Sequence, residues 1–250
     1  MYKNLLFLLL IFVFAGCQSV KHDDELIQDP EQAYKKAMML LEKGSYSEAA
    51  DEFSKIYFQY PSHKITQKAE IKEAYSLYKA GMYDDAIDVI DNFILLRPKN
   101  KYAEYVYYLK GLCYFDQISD ISHDQGVTEN AKLVFEEFKE KFPGSEYVKE
   151  IDIKLALAND QLAAKEMEIG RYYLNRQNPI GAINRFQSAL SNYGQNSQVP
   201  EALYRLAESF YILGINSEVN KYIDVLQKEY PENFWSKSEA IKLKNKIRYK

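Results

Sequence analysis

The chain has 250 residues, 27% of them charged and 47% hydrophobic, with 22 Tyr and 13 Phe against only 10 Gly and 7 Pro. Such a helix-friendly, aromatic-rich composition can bury a core along its whole length, and a net charge of −4 argues against nucleic acid as the main ligand. Charge is unevenly spread: Asp23 to Glu31 holds five acids, whereas Trp235 to Lys250 holds six Lys or Arg against the single acid Glu239, a tail that reads as a solvated helix face.

In chain order, Met1 to Cys17 is a processing segment. Lys3 supplies a short positive start, Leu5 to Phe14 is an unbroken apolar run of ten, and Phe14-Ala15-Gly16-Cys17 closes it with small residues before a cysteine. Ten apolar residues are too few for a spanning helix, which needs about 20, but they suit a secretory signal. The Ala-Gly-Cys ending resembles a bacterial lipobox, which implies removal of residues 1–16 and acylation of Cys17. More than one acyl chain, at about 0.8 kcal/mol per buried CH₂, holds a protein stably on a membrane. Gln18 stands where an inner-membrane retention signal would carry Asp, so the expected location is the outer membrane, lipid-anchored on its periplasmic face. The competing reading is an ordinary cleaved signal with an incidental Cys17. Residues 17–31 have no apolar period and read as a flexible tether.

From there one pattern recurs. Gly44-Ser-Tyr46 turns, Ala49 and Phe53 lie one helical turn apart, and Pro61 follows Ala49 by twelve residues. The same interval returns from Ala86 to Pro98, Ala131 to Pro143, Ala182 to Gly194 and Val219 to Pro231. The small residue admits a close helix neighbour, the large one four positions on covers the same face, and proline ends the helix. An amphipathic run precedes each turn, as in Ala33, Ala37, Leu40 and Ala74, Leu77. Stacked hairpins of roughly 34 residues read as tetratricopeptide repeats. The predicted fold is therefore all-α: a right-handed α-solenoid of five such hairpins, with a long central helix and a C-terminal capping helix.

Three hairpins occupy 32–144. In the third, Gly111 and Ala131 stand 20 residues apart instead of 12, which places eight extra residues within Asp116 to Thr128. After Pro143, Ser145 is positioned to cap a helix with Glu146 in its first turn. That helix is expected to run about 31 residues to Arg176, near 46 Å, joining the front three hairpins to the back two. The remainder, 145–250, holds this helix, hairpins four and five, and a terminal amphipathic helix through Trp235, Ala240, Ile241, Leu243 and Ile247. Cys113, in an apolar run, reads as a buried small hydrophobe; with Cys17 acylated it has no disulfide partner.

The sequence carries no catalytic signature. No two glycines lie within ten positions, which excludes a glycine-rich phosphate loop. His22, His63 and His123 are scattered with no metal spacing, and His123 beside Asp120 and Asp124 reads as a solvated loop. No catalytic residue, metal or cofactor is predicted. The first helices of hairpins one to three are instead apolar on two faces, beyond what hairpin packing requires. Tyr34, Met38 and Leu41, then Ile71, Tyr75 and Tyr78, then Tyr105, Tyr108, Leu112 and Phe115 are expected to line a concave groove. Either a peptide-like ligand or another segment of the chain fills it, and an aromatic concavity favours the ligand.

The motifs Asp116-Gln-Ile-Ser-Asp120, Lys165-Glu-Met-Glu-Ile-Gly-Arg-Tyr-Tyr-Leu174, Ala182-Ile-Asn-Arg-Phe186 and Val199-Pro-Glu-Ala-Leu-Tyr-Arg-Leu206 resemble the BamD family, and the likeness spans Cys17 to about Lys237. That family is the lipoprotein component of the outer-membrane β-barrel assembly machinery. The resemblance implies a non-enzymatic scaffold that binds the POTRA region of the barrel-inserting subunit and the C-terminal signal of unfolded β-barrel clients. Other assembly lipoproteins are the further partners it suggests, and nucleic acid is not among them. Asn184 and Arg185 match the place where the family meets its POTRA partner; the alternative for Arg185 is a surface arginine paired within its own helix. For the groove, the family implies the client peptide as occupant. The competing functional readings are a repeat lipoprotein coordinating cell-wall synthesis with envelope constriction, and a pilus-assembly adaptor.

Overall fold

The computed structural model describes residues 26–121, 123–194 and 196–248. Cys17, the signal segment and most of the tether lie outside the described residues. The rest is helical: α1 Pro30–Lys43 and α2 Tyr46–Gln59 form the first hairpin, α3 Thr66–Lys79 and α4 Tyr83–Leu96 the second, α5 Ala103–Phe115 and α6 Gly126–Lys141 the third. The fourth pairs α7 Val148–Asn175 with α8 Pro179–Ser191, and the fifth pairs α9 Val199–Ile212 with α10 Asn216–Glu229. A π-helical turn, Trp235–Ala240, and α11 Ile241–Arg248 complete the chain. Each helix packs on the ones before and after it, the contact pattern of a solenoid.

The expected small–large rule holds in every hairpin. Ala37 with Ala49 and Phe53, Ala74 with Ala86 and Ile90, Gly111 with Ala131 and Phe135, Gly170 with Ala182 and Phe186, and Ala207 with Val219 and Ile223 are all buried. The repeat is 37 residues, the step from Ala37 to Ala74 to Gly111 and from Gly170 to Ala207, not the 34 expected. The extra length lies in full 14-residue helices separated by six-residue links such as 60–65 and 97–102. In hairpins three and four the small partner is glycine for a steric reason. A Cβ on Gly111 would stand 2.2 Å from the Phe135 ring, and one on Gly170 would stand 2.3 Å from Phe186.

The turn inside each hairpin needs a left-handed residue seven positions after the small one. Gly44, Gly81 and Gly214 supply it with φ of 83°, 76° and 76°. In hairpin four that position is Gln177, which adopts φ 56° against the usual steric preference. In hairpin three the turn is replaced by the predicted insertion, which is tied down rather than free. Tyr78 donates to Asp116 at 2.6 Å, Gln117 donates to the Cys113 carbonyl at 3.0 Å, and Gln161 of α7 donates to the Ser119 carbonyl at 2.8 Å.

The long helix is present with 28 residues, about 42 Å. Its start differs from the expectation. Ser145 does not cap it; the hydroxyl accepts from the Tyr147 N–H at 3.1 Å in a local turn, and the helix begins at Val148 with Glu150 as its first-turn acid. Being 14 residues longer than a standard repeat helix, α7 serves two hairpins. Its front half adds Ile151 and Leu155 to the cluster of Tyr107, Phe135 and Phe138, and its back half adds Ala163 and Met167 to that of Ala182, Phe186 and Leu206.

The terminal helix also departs from expectation. A π turn holds more residues than an α turn, so the regular helix restarts in a shifted register. Ala240 and Leu243 are buried with Ile247 packed beside them, while Ile241, expected on the core face, is exposed.

Candidate functional site

Two surfaces carry the residues singled out above. The first is the line of first helices α1, α3 and α5. Tyr34 is half-buried with its ring 5.4 Å from Phe53, and Met38 borders the same cluster. Tyr75 and Tyr78 are half-buried neighbours with ring centres 6.4 Å apart, and Tyr78 also meets Tyr83 at 5.9 Å. Ile71 and Tyr108 are buried: Ile71 belongs to the core between the second and third hairpins, and Tyr108 stacks on Tyr147 at 4.2 Å with the rings 11° from parallel. The accessible wall is therefore Tyr34, Met38, Tyr75, Tyr78, Tyr105 and Leu112, with the residue before α7 closing its far end. Of the further groove residues, Leu41 is buried and Phe115 packs on Phe135 at 6.1 Å beneath Lys154.

This wall is chemically quiet. Burial foremost, with Asp116 adding to it, raises the Tyr78 phenol, and burial raises those of Tyr105 and Tyr108, so all three stay neutral donors. Burial also pushes the Cys113 thiol up to about 12, where it is not a nucleophile at neutral pH. His123 lies 3.6 Å from Asp120, both on the exposed part of the inserted loop.

The second surface is the outer edge of hairpin four. Asn178 caps α8 by accepting from Gly181, and Pro179 follows at its first position. That start places Asn184 in solvent and Arg185 two-fifths exposed, with its guanidinium 3.2 and 3.3 Å from the two oxygens of Glu166 on α7. The partner of Arg185 is thus on the neighbouring helix and not on its own. Glu166, Tyr173, Asn184, Arg185 and Ser188 border a shallow cleft.

The spacing of the Lys165–Leu174 motif has a structural reason. Met167 is buried, Gly170 admits Phe186, Glu166 reaches Arg185, and Arg171 reaches Glu201 at 3.3 Å. Glu201 also meets Arg205 at 3.2 Å, and Arg205 meets Glu208 at 2.8 Å while lying 5.1 Å over Trp235. This string of charges joins α7 to α9 and ends over the Trp235 ring of the π turn, and no sequence expectation placed it. Its sequence signal was the placing of charges inside motifs whose other positions are core.

Fold and surfaces define a tetratricopeptide-type helical-repeat protein, with no described helix long and apolar enough to cross a membrane. Residues 27–242 match the YfiO family model, described as outer membrane lipoprotein, and the chain belongs to that family. Similar relatives include the outer membrane protein assembly factor BamD of Rickettsia prowazekii, 43% identical over 223 residues and covering 89% of both chains. BamD of Caulobacter vibrioides is 34% identical over 224 residues, covering 88% of this chain and 73% of that one. Among solved structures, the TPR2AB-domain:pHSP90 complex of yeast Sti1 gives a TM-score of 0.42 at 10% identity, covering 88% of this chain and 84% of that one.

Proposed function

We propose that this chain is a non-enzymatic, lipid-anchored scaffold for outer-membrane protein assembly. Cys17 carries the acyl anchor, the solenoid hangs in the periplasm, the Asn184–Arg185 edge docks the POTRA region of the barrel-inserting subunit, and the tyrosine wall of hairpins one to three receives the C-terminal segment of unfolded barrels. The observation that carries the docking assignment is the half-exposed guanidinium of Arg185 beside solvent-exposed Asn184. The Arg185 guanidinium is two-fifths exposed while the Glu166 carboxylate is largely buried, so an incoming carboxylate would meet Arg185 on its open side and share it with Glu166. For the wall, barrel strands alternate apolar and polar residues, and an extended client would place its aromatic side chains against Tyr34, Tyr75, Tyr78 and Tyr105.

The test separates docking from a purely structural role. Arg185→Glu is expected to abolish co-purification of the POTRA protein, since breaking a buried interfacial charge pair costs about 2–5 kcal/mol. Glu166→Gln, which frees the guanidinium, is expected to leave co-purification intact. Equal co-purification by both variants would overturn the assignment. Cys17→Ser is expected to leave helicity unchanged and to release the protein from membranes; continued palmitate labelling of that variant would sink the anchor.

A further inference from the structure

Apart from Leu26 near the described N-terminus, the most exposed large apolar side chains among the described residues are Leu95 and Phe58, at 78% and 75%. They occupy one repeat position, nine residues after the buried small residue of the second helix: Ala49 leads to Phe58 and Ala86 to Leu95. In hairpins three to five that position holds Glu140, Ser191 and Lys228. The apolar tips are thus confined to the last turns of α2 and α4, on the outer layer of the first two hairpins, where Leu96 extends them.

The chain leaves for its N-terminus at this same place. The Ile27 N–H donates to the Gln59 side chain at 2.8 Å, and the Tyr60 hydroxyl donates to the Ile27 carbonyl, so residue 27 is clasped one and two positions beyond Phe58. Ile27 stands ten positions after Cys17, a span of roughly 35 Å at most. The stretches around the tips, 54–66 and 92–103, contain Lys55, Lys64, Arg97, Lys99 and Lys101 and no Asp or Glu. Lys55, Lys64 and Arg97 pair with Glu52, Glu31 and Glu70, while Lys99 and Lys101 have no ion-pair partner among the described residues.

From this conjunction we infer that the ends of α2 and α4 form a membrane-contact face, in which Phe58, Leu95 and Leu96 enter the headgroup region of an anionic bilayer and Lys99 and Lys101 meet its phosphates. Apolar tips with a basic rim are the composition of an interfacial binding surface. The inference rests on the proposed anchor at Cys17, which would hold this end of the solenoid within reach of the bilayer. Two contacts, the acyl group and the face, would fix the solenoid's orientation on the membrane, which a single tether leaves free.

The test uses the mature chain purified from bacterial membranes, carrying Phe58→Cys, Leu95→Cys or, as a control on the outer layer of hairpin three, Leu133→Cys. An NBD dye goes to the introduced thiol because Cys113 is buried. In vesicles of phosphatidylethanolamine and phosphatidylglycerol, the labels at 58 and 95 should shift to the blue. Doxyl-labelled lipid should quench them at least twofold more than the label at 133. Three labels that all report water on acylated chain would overturn the face and leave the anchor standing. Labels that leave water only when the barrel-inserting complex is added would overturn it in favour of a protein contact. Quenched labels on chain whose N-terminal peptide carries no lipid by mass would keep the face and sink the anchor.

Discussion

Glu73 on α3 shows how a single residue sets a pH dependence. Burial foremost, then the neighbouring charges of Glu70 and Asp51, push its carboxyl up to about 8. Between about pH 4.5 and 8 the folded chain holds a proton that the unfolded chain has lost, so stability falls as pH rises through that window. Glu73→Gln should match the parent near pH 4.5 and exceed it by roughly 1–3 kcal/mol above pH 8 in urea denaturation. Equal stabilities at both ends would refute the shift. Gln177 offers a second case: its left-handed backbone stands where Gly44, Gly81 and Gly214 stand in other hairpins. Gln177→Gly should therefore stabilise by about 0.5–1 kcal/mol, the strain relieved exceeding the entropy that glycine adds to the unfolded chain. At Gly170 the sign reverses, because a methyl group would strike Phe186. Gly170→Ala should lose about 1–3 kcal/mol despite alanine's better helix propensity.

Among the elements, α7 and the terminal helix differ from the simple hairpin plan. The long helix spares the solenoid a break: one continuous backbone gives Ile151 and Leu155 to hairpin three and Ala163 and Met167 to hairpin four. The π turn before α11 sets which side of that helix faces Leu203 and Tyr204. Deleting Ser238 should convert it towards α geometry and rotate α11 by about 100°. Leu243 and Ile247 would then leave the core, and the melting temperature should fall by several degrees. A deletion variant melting with the parent would mean that the turn has no role in register.

Across the whole molecule, stability is nearly one-dimensional, since each hairpin touches mainly its neighbours. Removing residues 235–250 uncovers Leu203 and Tyr204 at the last hairpin and leaves α1–α4 untouched. Hydrogen exchange on the truncated chain should show protection lost in α9 and α10 and retained in the first two hairpins. A uniform loss along the chain would indicate a single cooperative core instead.

The repeat was legible in the sequence because a small residue, a large one four positions on, and a helix stop twelve positions on are local demands of two helices in contact. Hairpin number and the insertion after Phe115 came from those intervals, the long helix from the unbroken stretch after Pro143, and the burial of Cys113 from its apolar neighbours. The BamD-like motifs were legible as well, and the structure supplies their reasons in Gly170 against Phe186 and in Glu166 and Arg171 reaching neighbouring helices. Tertiary structure alone decided what depends on the angle between elements. Tyr108 lies under Tyr147, Arg185 pairs across to α7, Ile241 turns outward, and the N-terminal segment is clasped by Gln59 and Tyr60 next to exposed Phe58. A periodic pattern names the side of a helix that must be buried, but not which neighbour covers its rim. That choice is made by packing between residues far apart in the chain.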